Sequence, residues 1–212
     1  MEFLVLLAFP MVACGCFPGH RSDLSSGLLA LTLTTLPRQA ETELFNDMFS
    51  FMWHVASMLS FASEDIYDQY MQRYHLSTMK KIVPPECVTA GLPHPRTVDE
   101  VSKTPVPQLM LSALDLVQAW ITASEDLPLP GLVPHRVFNY YSLLFLLEQG
   151  IQSYVKRKEE TCDLPTYKRF YLNDDTVHLQ VANSDLLYCL KTDMLRVLTY
   201  LRLSYCATTD MC

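Results

Sequence analysis

Six prolines between residues 77 and 107 separate two stretches of this chain that carry the periodicity of an α-helix. Proline lacks a backbone donor and clashes with the preceding helical turn, so no continuous helix can pass through this segment. We predict a long extended connection here. With roughly 30 residues it can cross a helix of ~45 Å, at about 1.5 Å rise per residue, and it lets the next helix run parallel to the first.

Four segments have apolar residues three or four positions apart, which places them on one face of a helix. We predict four helices, over residues of about 36–74, 108–123, 135–160 and 184–205. Asn183 or Ser184 is the expected N-cap of the last helix. A short link joins helices two and three, and a second long connection, 161–182, precedes helix four. This order predicts an all-α, up-up-down-down four-helix bundle with two long crossover connections.

The predicted core-facing residues follow from the same spacing. In helix one they are Leu44, Met48, Phe51, Val55, Met58, Ala62, Ile66 and Tyr70. In helix two they are Leu109, Ala113, Leu116, Val117, Trp120 and Ile121. In helix three they are Val137, Tyr141, Leu144, Phe145, Ile151 and Val155, and in helix four Leu190, Met194, Val197, Leu198 and Leu201. Trp53 fits a core position and an exposed contact position equally well.

The N-terminus carries an apolar run at residues 3–13, too short to cross a bilayer but of the length found in secretory signal peptides. We predict a signal peptide over 1–16 and one mature domain over 17–212, with an N-terminal arm to about residue 40. The other reading of the run is a buried N-terminal segment. No other apolar stretch reaches transmembrane length, so we expect a secreted chain that does not insert into a membrane.

Charge and motif content argue against two broad functional classes. The formal net charge is −7 and no Lys/Arg block exceeds three residues, so the sequence offers no surface for nucleic-acid phosphates. The six histidines lie in different segments, and neither a Gly-rich phosphate loop nor an HExxH motif occurs. We therefore expect no enzymatic activity and no cofactor.

Cysteines mark the first connection and the last helix. Cys87 lies among the prolines, whereas Cys189, Cys206 and Cys212 surround helix four. In a secreted helical protein such a set indicates disulfides. Four cysteines allow three pairings, and Cys206 with Cys212 is the natural small loop. The state of Cys162 stays open.

Several short motifs agree with one another on a family. They are LFND at 44–47, ECVTAGL at 86–92, QAW at 118–120, LEQGIQ at 147–152, NDD at 173–175, LLYC at 186–189 and TYLR at 199–202. Through these motifs the chain resembles the growth hormone/prolactin/somatolactin family over about residues 44–212. Growth-hormone-like and prolactin-like motifs are mixed, so the subgroup stays open. The resemblance implies a long-chain helical cytokine fold and disulfides joining Cys87 to Cys189 and Cys206 to Cys212.

The resemblance also implies a secreted hormone that binds and dimerises a class I cytokine receptor of the growth hormone or prolactin receptor type, with two receptor chains per hormone. The first receptor surface would comprise Thr192, Leu195, Arg196, Thr199, Tyr200, Arg202 and Leu203. The second would contain Gly150, a glycine inside a predicted helix that costs about 1 kcal/mol relative to alanine. Tight helix packing is the competing explanation for Gly150, and a solvated basic stripe is the competing explanation for Lys191, Arg196 and Arg202.

Two other functions remain open at this point. A divergent member of the family could bind receptor through the first surface alone and act as an antagonist, since helix one is unusually apolar at its exposed start. An intracellular structural helical bundle is the alternative outside the hormone class. Some family members share a zinc ion between helices one and four, but Trp53, Ala56 and Leu198 occupy the corresponding positions here. We therefore predict no metal site.

Overall fold

The computed structural model describes residues 38–76, 85–127, 140–155, 165–172 and 176–209, with side chains from Asn46 to Thr208. These ranges contain five α-helices and a short 3-10 turn at Val88–Gly91, and no strand. The helices are α1 (Arg38–Arg73), α2 (Val98–Lys103), α3 (Val106–Ser124), α4 (Tyr140–Val155) and α5 (Val177–Thr209). The predicted all-α helical bundle is confirmed.

The four long helices pack around one core, in which α1 contacts α4 and α5, and α3 contacts the same two helices. Lys191 of α5 pairs with Glu64 of α1, and three residues earlier in α5 Tyr188 packs against Tyr67. The partners step in opposite directions along the two chains, so α1 and α5 are antiparallel. In α4, Tyr140 contacts Leu59 of α1, and Gly150, further along α4, lies against the earlier residue Met52. Helices α1 and α4 are therefore antiparallel as well. The up-up-down-down order stays a prediction.

The start of α5 corrects the sequence analysis. The helix begins at Val177 rather than at an N-cap at Asn183 or Ser184. Asn183 lies inside the helix, fully buried, and its amide group accepts a hydrogen bond from the Tyr171 N–H and donates one to the Tyr171 carbonyl, both at 2.9 Å. Asparagine is a residue type that favours helix caps, but the side chain of Asn183 instead fixes the second crossover to the helix.

The first crossover also contains more structure than predicted. Helix α2 lies between Pro95 and Pro105 and begins with a capping box, in which the Thr97 hydroxyl accepts from the Glu100 N–H and the Glu100 carboxylate accepts from the Thr97 N–H. The Thr-x-x-Glu signature was present in the sequence. The prolines prevent a continuous helix across the segment but leave room for these two turns.

The core-facing residues of α3 and α5 are confirmed, with Ile121 and Leu198 only partly buried against the core, whereas those of α1 and α4 are partly wrong. Val55, Ile66 and Tyr70 are buried as predicted, but Phe51 is 49% exposed and Phe145 is 48% exposed. The buried stripe of α1 is rotated relative to the predicted one and consists of Phe49, Met52, Val55, Ala56, Leu59, Ser63, Ile66 and Tyr70. Trp120 is fully buried, whereas Trp53 is exposed.

The predicted signal peptide and most of the N-terminal arm lie outside the described residues. Val137, Cys162 and the side chain of Leu44 lie outside them as well. The boundaries at 16 and 40 therefore stay predictions. Across the described helices, none combines the length and apolar character needed to cross a membrane.

Candidate functional site

One face of α5 carries most of the residues predicted for the first receptor surface. At 3.6 residues per turn, five of them fall within an arc of about 100°. Leu195 is 55% exposed and Leu203 is 38% exposed, and Thr199 and Arg202 are exposed beside them, with Thr192 half-buried. We call these five residues, Thr192, Leu195, Thr199, Arg202 and Leu203, the α5 face.

Helix α1 borders one side of the α5 face. The Lys191 Nζ lies 2.8 Å from the Glu64 Oε1 and 5.4 Å from the centroid of the Tyr67 ring, which ties the two helices together. Trp53 precedes Glu64 by about three turns and so lies on the same side of α1. Because the helices are antiparallel, Trp53 is level with Arg202 on α5. The exposed indole thus extends the α5 face onto α1.

Phe61 is a surface residue that the sequence analysis missed. It is 70% exposed and lies about one turn before Glu64, which on the antiparallel α5 is level with residue 194, next to Leu195. The available signal was its position outside the apolar spacing of α1, where an aromatic side chain has no core to enter. Exposed large apolar residues grouped on one side of a domain are typical of protein interaction surfaces.

The first crossover borders the other side of the α5 face. The Tyr200 hydroxyl donates a hydrogen bond to the Pro95 carbonyl, and the Tyr200 side chain is only 1% exposed. Burial raises the pKa of the Tyr200 phenol to about 12. The structure thus removes Tyr200 from the exposed residues of the predicted first receptor surface, because its ring fixes the crossover from within.

A buried carboxylate anchors the same crossover. The Asp193 side chain is fully buried, and its Oδ2 accepts from the Thr89 hydroxyl at 2.7 Å, the Trp120 indole N–H at 3.0 Å and the Tyr167 hydroxyl at 3.1 Å. The Arg196 guanidinium donates to its Oδ1 at 2.8 Å. The group joins both crossovers and α3 to α5, and charge-assisted bonds compensate the cost of burying the charge.

The aromatic pair above this carboxylate is stacked. The rings of Trp120 and Tyr167 have centroids 3.7 Å apart, and the Tyr167 N–H donates to the Ala119 carbonyl. Burial, and secondarily the charge of Asp193, raises the pKa of the Tyr167 phenol. The phenol therefore stays neutral and can donate its proton to Asp193 at every physiological pH.

Arg196 has a double role. Its side chain is 31% exposed, yet its guanidinium is engaged with the fully buried Asp193. Apart from the buried Tyr200, Arg196 is thus the predicted contact residue that is least separable from folding, whereas the Arg202 side chain is exposed.

A disulfide joins Cys87 of the first crossover to Cys189 of α5, with the Cα atoms 5.6 Å apart. Cys206 is also disulfide-bonded. Cys212 lies outside the described residues, so the pairing of Cys206 with Cys212 stays a prediction.

Gly150 faces α1. A Cβ atom at this position would lie 2.9 Å from the Met52 Cγ and 3.3 Å from its Sδ, closer than side chains normally pack. Met52 is fully buried, whereas Gly150 is only partly covered. Close packing therefore accounts for a missing side chain, and the exposed residues Leu146 and Phe145 lie one turn away on the same helix.

No group of three or more His, Cys, Asp or Glu residues that could hold a metal ion occurs in the described part of the chain. Trp53 is exposed at the surface, but Ala56 is buried and Leu198 is half-buried.

No family model matches the chain. Individual proteins do match it: it is 27% identical over 148 residues to a somatotropin of Protopterus annectens, covering 67% of this chain and 70% of that protein. It is 24% identical over 189 residues to a somatotropin of Meleagris gallopavo, covering 85% and 88%. It is 25% identical over 214 residues to chorionic somatomammotropin hormone 1 of Homo sapiens, covering 91% and 97%.

These similarities to somatotropins and to a chorionic somatomammotropin support membership in the growth hormone/prolactin family. The alignments extend over most of each partner's length, so the similarity concerns a whole domain rather than a single motif. The relatives are hormones and not enzymes. The similarity to these hormones agrees with the four long helices, the two crossovers and the disulfide between Cys87 and Cys189.

Proposed function

We propose that this chain is a secreted hormone that binds the ectodomain of a class I cytokine receptor through the α5 face together with Trp53 and Phe61 of α1. The observation that carries the proposal is the position of these residues. All four large apolar residues are exposed, Leu195 and Leu203 on the α5 face and Trp53 and Phe61 on the neighbouring antiparallel helix α1. Tight interfaces typically have an apolar, aromatic-rich centre of this kind.

Rigid support favours this face over the other exposed apolar residues. One border is fixed by the Glu64–Lys191 ion pair and the other by Asp193, Tyr200 and the disulfide at Cys189. A face held in one conformation loses little conformational entropy when it binds. The acceptor of such a face is a folded receptor ectodomain with an apolar patch.

A second receptor chain would bind on the side of α4 and α1 at Gly150. Leu146 is 46% exposed one turn before Gly150, and Phe51 of α1 is exposed as well. Because Gly150 itself is closely packed on Met52, the exposed neighbours would supply the contacts, and the glycine would allow close approach of the helices that carry them.

The stoichiometry of the complex tests this proposal. Light scattering of the hormone with increasing amounts of growth-hormone-type or prolactin-type receptor ectodomain should show two receptor chains per hormone. Leu146→Glu should reduce the ratio to one, since a carboxylate would disrupt an apolar contact without entering the core. A ratio of one for the unmodified hormone would support the antagonist alternative, and no complex with either ectodomain would contradict the proposal.

A further inference from the structure

His94 stands between Pro93 and Pro95, in the turn of the first crossover that lies against α5. Its two ring nitrogens, Nδ1 and Nε2, are both buried and have no hydrogen-bond partner. A neutral imidazole tolerates this position at moderate cost. An imidazolium carries a charge and two N–H donors, and a buried charge without partners is far more costly.

The charges around the ring disfavour the imidazolium further. Arg196 of α5 and Arg96 of the crossover both act on His94, and both are cations. Asp193 attracts the imidazolium, but its oxygens already accept hydrogen bonds from four other groups. The Leu92 carbonyl, a hydrogen-bond acceptor, also favours the imidazolium, but more weakly than Asp193 does.

The remaining charged groups near the turn are already paired. Asp99, Glu100 and Lys103 line the same cleft as His94. Asp99 is bonded to Lys103 at 2.7 Å, and the Glu100 carboxylate accepts from the backbone N–H groups of Arg96 and Thr97. Tyr200 contributes a neutral hydroxyl that donates to Pro95. The described surroundings thus offer His94 no unengaged carboxylate.

Burial of the ring, then Arg196 and Arg96, lower the pKa of His94 below the ordinary value of 6.5. A released turn has a histidine with the ordinary pKa, so it binds a proton more readily than the docked turn. The docked form is therefore fully favoured above pH 6.5 and loses stability as the pH falls through the lower pKa of the docked histidine.

We propose that His94 is an acid-responsive latch: in its neutral form it lets the turn at residues 92–96 dock on α5, and its protonation releases that turn. The Cys87–Cys189 disulfide and the bond of Thr89 to Asp193 keep the rest of the crossover in place. Since the turn borders the α5 face, release in an acidic compartment would weaken receptor binding. That last consequence rests on the proposed function, whereas the latch itself does not.

Hydrogen exchange of the backbone amides of His94 and Arg96 tests the latch without any receptor. After correction for the intrinsic rates, exchange should be faster at about pH 5 than at about pH 7.4, because the released turn binds the proton more readily than the docked turn. His94→Gln, which cannot take up the proton, should abolish the difference. His54→Gln, at an exposed position on α1, should preserve it.

Equal corrected exchange at the two pH values, or the same increase in His94→Gln, would overturn the latch. If His94→Gln does not fold, the imidazole titration of the unmodified protein decides by NMR. A His94 midpoint below 6.5 that coincides with the rise in exchange supports the latch, and a midpoint at or above 6.5 contradicts it. Receptor affinity at the two pH values then tests the link to function separately.

Discussion

The Asp193 carboxylate accepts a hydrogen bond from the Trp120 indole N–H at 3.0 Å, deep between α5 and α3. Two more donors reach the same oxygen from the two crossovers, Thr89 from the first and Tyr167 from the second. Both connections that distinguish this bundle are thus fixed to one buried charge. The position of the first crossover beside the α5 face depends on that charge.

Asp193→Asn should therefore destabilise the protein by about 2–4 kcal/mol, because it removes charge-assisted bonds and places an amide N–H donor against groups that themselves donate. Urea unfolding at neutral pH measures the change. Asp99→Asn is the matched control, since its ion pair with Lys103 is exposed and such pairs contribute about 0–1 kcal/mol. Equal midpoints for the two variants would show that the buried group does not anchor the crossovers.

Gly150 and Met52 should be energetically coupled. In the unmodified protein, Gly150→Ala gains about 1 kcal/mol of helix preference but is opposed by an overpacking cost of about 1–3 kcal/mol against Met52. In a Met52→Ala background the same change should become stabilising by about 1 kcal/mol, because the obstructing side chain is gone. A double-mutant cycle from chemical unfolding measures the coupling.

Gly91→Ala is the control for that cycle, since a Cβ there meets no atom within 4 Å. It should be neutral or slightly stabilising in both backgrounds. If Gly150→Ala has the same effect with and without Met52, close packing does not explain the glycine, and the receptor explanation gains weight.

How much of this arrangement the sequence could predict depends on the range of the interactions. The long helices follow from apolar spacing within single segments, and Trp120 and Met194 were correctly assigned to the core. The burial of Asp193 could not be predicted, because its partners are distant in sequence and a helical aspartate is ordinarily exposed. Tyr200 was misplaced for the same reason: only the folded crossover shows that its hydroxyl meets Pro95.

The two disulfides should contribute unequally to stability. The bridge from Cys87 to Cys189 spans 102 residues, for which the chain-entropy model gives about 4–5 kcal/mol. A bridge from Cys206 to Cys212 would close a short loop worth about 2 kcal/mol. Non-reducing peptide mapping should recover both pairs, and paired Cys→Ser variants should show the larger loss for the first. A dominant bridge from Cys87 to Cys162 would contradict the pairing.

Tyr200 should make the free energy of unfolding depend on pH in the alkaline range. Its pKa is raised to about 12 in the folded protein, so the stabilisation is fully present below about pH 10 and is lost as the pH rises towards that value. Tyr200→Phe should cost about 1 kcal/mol at about pH 8 through the lost hydrogen bond to Pro95. Between about pH 10 and 11 the gap to the unmodified protein should narrow. Urea unfolding at these pH values measures both effects.

Tyr171→Phe is the matched control for this experiment, because the Tyr171 side chain is exposed. It should follow the unmodified protein at each pH. A constant gap between Tyr200→Phe and the unmodified protein would show that the phenol does not titrate differently in the folded state.

The affinity of Leu195→Glu for a growth-hormone-type or prolactin-type receptor ectodomain tests the proposed role of the α5 face most directly. Leu172→Glu is the matched control, with a comparably exposed leucine in the second crossover. With helical circular dichroism unchanged in both variants, Leu195→Glu should bind at least about tenfold more weakly, a loss of about 1.4 kcal/mol, and Leu172→Glu should bind normally. Equal affinities of a folded Leu195→Glu and the unmodified chain would contradict the account.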